Sequence, residues 1–216
     1  MRTLPKLMTP DGETDPATEP ATGPTDDSGA DRAPTEDPRP DGLHRADSLV
    51  VVNTGNGKGK SSSAFGMMIR AVGRGWNVAV VQFIKSGNWN TGEEKIARQL
   101  GVDWHAFGDG FTWDSDDLTN DRAHAAEGWA TALGIMNAGE HQLVIFDELT
   151  YLSSFNWLDA SVIATAISQR PRHVNVIVTG RDAAPELIEV ADTVTEMLEV
   201  KHAYQQGVRA MRGIDY

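Results

Sequence analysis

Residues 48–66 read SLVVVNTGNGKGKSSSAFG, and the rest of the chain is arranged around them. Ser48 to Asn53 is a short β-branched run without alternation, as a strand buried on both faces requires. Lys60 to Arg74 has helical spacing, with Ala64, Phe65, Met67, Met68 and Ala71 toward the core. Between them lies Thr54-Gly55-Asn56-Gly57-Lys58-Gly59-Lys60-Ser61. It matches G-x-x-x-x-G-K-[ST] except that Thr54 stands first. Glycines let successive backbone N–H groups point inward at phosphate oxygens. The helix start adds its positive end. Lys60 supplies a charge, and the hydroxyl of Ser61, with Ser62 beside it, suits Mg²⁺ and phosphate. The dinucleotide fingerprint G-x-G-x-x-G fails here. Lys60 takes its third glycine, and no acid ends the next strand, which closes on Gln82-Phe83-Ile84-Lys85.

Outward from the loop, strands and helices alternate. Strands are expected at Asn77–Ile84, Val102–Phe107, Gln142–Phe146, Val174–Thr179 and Thr193–Leu198. Helices are expected at Glu93–Leu100, Asp121–Asn137, Leu158–Ser168 and Pro185–Val190. The longest should bury Ala126, Trp129, Ala130 and Leu133. This alternation predicts an α/β fold, a mostly parallel P-loop NTPase-like sheet with helices on both faces. Ligands in such sheets bind at the strands' C-terminal ends. One strand runs LVIFDE, Leu143 to Glu148, so two carboxylates close it. One of them, Glu148, is a candidate for Mg²⁺ together with Ser61.

The totals narrow the partners. A net charge of −12 over 216 residues disfavours nucleic acid, which needs clustered Lys and Arg. An anionic ligand must then be held locally, as the glycine loop allows. The chain has no cysteine, so disulfides and thiolate metal sites are excluded. No apolar run reaches membrane-spanning length, and no signal peptide is legible; a cytoplasmic protein without membrane contact is expected. The composition divides near residue 47. Eight of the ten prolines precede it, and no Leu, Ile, Val, Met or aromatic residue falls between Met8 and Leu43. Residues 1–47 are expected to be a disordered acidic tail and 48–216 the folded domain.

Six segments then occur in order: TGNGKGKSSSAFG (54–66), VVQFIK (80–85), GFTW (110–113), FDELTY (146–151), TGR (179–181) and KHAYQQGVRAMRGIDY (201–216). Together they resemble the P-loop corrinoid adenosyltransferases, acting on cob(I)alamin or cob(I)yrinic acid a,c-diamide. The resemblance covers roughly residues 48–216. It implies attack of cobalt(I) on C5′ of ATP with loss of triphosphate. Gly55 to Ser62 would hold the triphosphate, Lys60 would neutralise its growing charge, and Arg70 and Arg181 would contact phosphate. Phe111 and Trp113 would lie against the corrin ring and favour four-coordinate cobalt(II). The resemblance also implies Mg²⁺ as cofactor, a homodimer, and a flavoprotein or other electron donor for cobalt. His44, His105, His124, His141, His173 and His202 show no metal-ligand spacing. Two other readings stay open on the residues themselves. One is a P-loop ATPase or kinase releasing or transferring phosphate; the other is a nucleotide-gated corrinoid carrier.

Overall fold

The computed structural model describes residues 41–84, 91–108 and 118–215, with 118–120 as backbone only. The expected tail lies, up to residue 40, outside them. The chain divides by internal contacts at His44/Arg45, close to the composition break.

The apolar runs form strands β1 (Val50–Thr54), β2 (Val78–Phe83), β3 (Asp103–Phe107), β4 (Leu143–Asp147), β5 (Asn175–Thr179) and β6 (Thr193–Glu196). They make one sheet in the order β3-β2-β4-β5-β1-β6. Every pairing is parallel. The helices are α1 (Lys60–Val72), α2 (Gly92–Gln99), α3 (Leu118–Ala138), α4 (Thr150–Ser154), α5 (Ala160–Ser168) and α6 (Pro185–Glu189).

Handedness sorts the helices. From β1 to β2 to β3 the chain moves one way across the sheet; from β3 through β4 and β5 to β6 it moves back. Right-handed crossovers therefore put α1 and α2 on one face and α3 to α6 on the other. Side chains confirm the division. Val80 and Ile145 pack with Phe65 and Met68 of α1 and Ala97 of α2. Val81 and Phe146 pack with Trp129 of α3, Leu152 of α4, Ile163 of α5 and Leu187 of α6. β2 and β4 are buried at every position, so their sequences need no alternation.

Three expectations change. In α3 the buried apolar side chains are Ala125, Trp129, Ala132 and Met136, while Ala126 and Ala130 face solvent. The helix is rich in alanine, which marks no face by itself; Trp129, whose ring lies 6.4 Å from that of Phe146, sets the rotation. Helix α4, with Leu152 in the core, was not foreseen. The last strand ends at Glu196, because Met197 turns its carbonyl toward Gly57 N–H, 2.6 Å away. Among the described residues no helix is long and apolar enough to cross a membrane.

Candidate active site at the C-terminal ends of the strands

The glycine loop joins β1 to α1. Gly55 (φ 94°) and Gly59 (φ 111°) occupy left-handed backbone that side chains resist. Gly57 is required for a different reason. A Cβ there would stand 2.6 Å from the Leu198 carbonyl oxygen. Gly59 is the N-cap of α1 and places no side chain over the first helical turn. The open N–H groups and positive helix end therefore face the cleft, where an anion can serve as the cap.

Lys60 donates from Nζ to Gly57 O at 2.7 Å, curling the loop around its own lysine. Lys58, also on the loop, meets the carboxylate of Asp215. That contact, with the Met211 N–H on the other oxygen, holds the Asp215 carboxyl below its ordinary range. A cleft of about 190 Å³ opens here, with Lys60, Ser61, Ser62 and Glu148 in its wall. Beside it lies a larger hollow of about 580 Å³, walled by residues of the 198–215 segment and sharing Lys58 and Asp215.

The two acids ending β4 have separate surroundings. Asp147 is fully buried. One oxygen accepts from the Thr179 hydroxyl at 2.7 Å, the other from Gln82 Nε2 at 2.8 Å. Glu148 follows with φ 62°, rare for a residue with a side chain, and is half-buried. Its N–H donates to Thr179 Oγ1 at 3.0 Å. Glu148 and Ser61 thus line one cleft with Lys60. Hard oxygen donors beside a phosphate loop fit Mg²⁺, which uses one or two carboxylates and keeps water and phosphate as its other ligands.

The expected site residues divide by position. Gly59, Lys60, Ser61, Ser62 and Glu148 meet at the cleft, with Lys58 on its rim. Gly55 and Gly57 are buried behind it, and Asn56 is exposed. Arg181 follows β5 on the same side of the sheet, exposed and outside the cleft wall. Arg70 is not brought there. Ten residues beyond Lys60 on α1, it lies about 15 Å along the helix axis. It lines a groove with Leu49, Val51 and Trp76 near the strands' opposite ends. Phe111 and Trp113 lie outside the described residues.

The cleft also holds Phe65, Gln82, Thr91, Glu93 and Asp215, none singled out in advance as ligand contacts. Gln82 had a legible signal, a polar side chain near the end of a wholly apolar strand. Asp215 had none, since it reaches the loop only through the fold.

The family described as ATP:corrinoid adenosyltransferase BtuR/CobO/CobP matches residues 46–216. A corrinoid adenosyltransferase of Escherichia coli K12 is 42% identical over 168 residues, 78% of this chain and 85% of that protein. One from Pseudomonas aeruginosa is 45% identical over 170 residues, 78% of this chain and 83% of its own. Corrinoid adenosyltransferase CobA of Salmonella typhimurium is 41% identical over 168 residues, 78% and 85% respectively.

Proposed function

The chain belongs to the ATP:corrinoid adenosyltransferase family, and we propose that it transfers the 5′-deoxyadenosyl group of ATP to cobalt(I) of a corrinoid. The observation that carries this reading beyond family membership is the shared cleft of Lys60, Ser61 and Glu148 behind a glycine loop.

The bond changes follow from the substrates. The cobalt(I) electron pair attacks C5′, and the C5′–O bond breaks. Triphosphate leaves with that bond's electrons. The leaving group gains negative charge in the transition state, so fixed positive groups around it lower the barrier. Lys60 would leave the Gly57 carbonyl and take up the triphosphate. The first turn of α1 contributes its N–H groups at no cost of rearrangement. Ser61 and Glu148 would hold Mg²⁺, which when bound spreads the leaving-group charge. Such a cation would offset part of the triphosphate's charge in a chain whose own net charge is −12.

Phe111 and Trp113, in the segment GFTW, are assigned to the corrinoid face on the resemblance alone. Of the two arginines expected at phosphate, Arg181 is the one that follows a strand on the ligand side of the sheet. Complete cobalamin and cobyrinic acid a,c-diamide are both admissible acceptors, and the enzyme would act in adenosylcobalamin formation or salvage.

The test is an anaerobic assay with ATP, Mg²⁺ and chemically reduced cob(I)alamin, following corrinoid absorbance and identifying the phosphate product. Adenosylcobalamin with stoichiometric triphosphate is expected. Orthophosphate without a carbon–cobalt bond would replace this reading with an ATPase. Corrinoid binding without turnover would make the protein a carrier.

A further inference from the structure

We propose that Thr179 is a positioning residue for the divalent cation, bracing Glu148 against the buried carboxylate of Asp147. This rests on the reading that Glu148 and Ser61 receive Mg²⁺.

Asp147 does not line the cleft. It is 0% exposed, and each carboxylate oxygen accepts a hydrogen bond inside the sheet. It is therefore placed as an anchor, and the next residue faces the cleft. Thr179 ends the neighbouring strand β5 and is itself fully buried. A hydroxyl has one proton to give and two lone pairs to receive with. Donation to Asp147 Oδ1 fixes the rotor, which leaves a lone pair for the Glu148 N–H. Serine preserves both bonds; valine, of the same shape, removes both.

The brace matters because Glu148 sits in left-handed backbone, at φ 62°. Such a conformation persists in a residue with a side chain only where surroundings hold it. The strand pairing aligns Phe146 with Val178, so Asp147 and Thr179 are adjacent by register. Gln82, opposite Asp147 on β2, completes the clamp from the other side. Three neighbouring strand ends thus fix one peptide, and the carboxylate it carries lines the phosphate cleft.

The experiment uses the full chain with inorganic triphosphate and Mn²⁺, whose free and bound forms are counted by EPR. Metal-free triphosphate binding is measured beside it by calorimetry. Glu148→Gln and Thr179→Val should each weaken Mn²⁺ by about tenfold or more, the usual effect of losing a ligand or its orienting partner. Thr179→Ser should stay within about twofold of the parent, and metal-free triphosphate binding should change little in any variant. Asp147→Asn keeps the volume and loses one acceptor. It should reproduce the selective loss and serves if Thr179→Val does not fold. Normal Mn²⁺ affinity in Thr179→Val and Asp147→Asn, with loss in Glu148→Gln, would overturn the brace alone. Normal affinity in Glu148→Gln would overturn the metal reading and the brace with it. Equal loss of metal-free triphosphate binding would show a merely structural role.

Discussion

Gly57→Ala puts the loop geometry to its most direct trial. A Cβ at residue 57 would stand 2.6 Å from Leu198 O, 2.7 Å from Leu198 C and 2.8 Å from Met197 O. All three are backbone atoms, so no side-chain rotation relieves them. Ordinary contact begins near 3.4 Å, and the difference from 2.6 Å means a retreat of about 0.8 Å by the loop or the end of β6. That movement breaks the Gly57 N–H bond to Met197 O. One lost hydrogen bond costs about 1 kcal/mol. Forced overpacking adds about 1–3 kcal/mol. The sum, about 2–4 kcal/mol, corresponds to a melting point lower by about 4–16 °C for a chain of this size. The shifted N–H groups should also cost on the order of tenfold to a hundredfold in kcat/KM for ATP. Gly66→Ala is the control. It lies in α1, where an added Cβ meets nothing within 4 Å, and helix propensity should hold or raise the melting point. Thermal unfolding by circular dichroism and initial rates at varied ATP give both readouts. If Gly57→Ala melts and turns over like Gly66→Ala, the close approach of loop and β6 is wrong.

Other outcomes follow from single residues. Lys60→Ala should abolish adenosyl transfer, because Lys60 Nζ, now on the Gly57 carbonyl at 2.7 Å, is the group proposed to take up the triphosphate; a folded, active variant would remove Lys60 from the mechanism. Trp113→Ala should lose more activity starting from cobalt(II) than from chemically prepared cobalt(I), and equal losses would remove its role at the corrin face. Asp159 caps α5 by accepting from the Ser161 N–H, and hydrogen bonds from Ser161 hold its carboxyl below 3.8. A depressed carboxylate stabilises above its unfolded value and loses that contribution as pH falls through the folded one. Asp159→Ala should therefore melt about 2–4 °C lower at neutral pH, with the two melting curves converging in acid well below pH 3.8; a difference that persists there would refute the capping role.

Much of this architecture could be read in advance because buried parallel strands advertise themselves. VVVN, VAVVQF and LVIFD are apolar without alternation, and each is flanked by helical spacing. The phosphate loop was legible because glycines at residues 55 and 59 answer a backbone demand, which local sequence records. Less came through where geometry depends on distant partners. Arg70 was assigned to phosphate on resemblance, yet α1 carries it away from the loop. Helix α4 was missed because it begins two residues after the left-handed Glu148 and lasts only five residues. Sheet order was invisible, and with it the meeting of Gln82, Asp147 and Thr179 from three strands. Local sequence carries no trace of such a convergence, since each residue alone is an ordinary polar strand end.

The contact between Lys58 and Asp215 bears on how tightly a nucleotide can be held. Before any ligand arrives, the chain has already placed an anion of its own beside the loop. If the loop takes triphosphate as proposed, one negative partner of Lys58 would yield to another. An affinity for triphosphate would then report only the margin between them. Asp215→Asn should enlarge that margin and lower the KM for ATP by roughly two- to fivefold, the scale of an exposed ion pair; a higher KM would show that Asp215 orients Lys58. Such an exchange would also cost the loop its ion pair to Asp215.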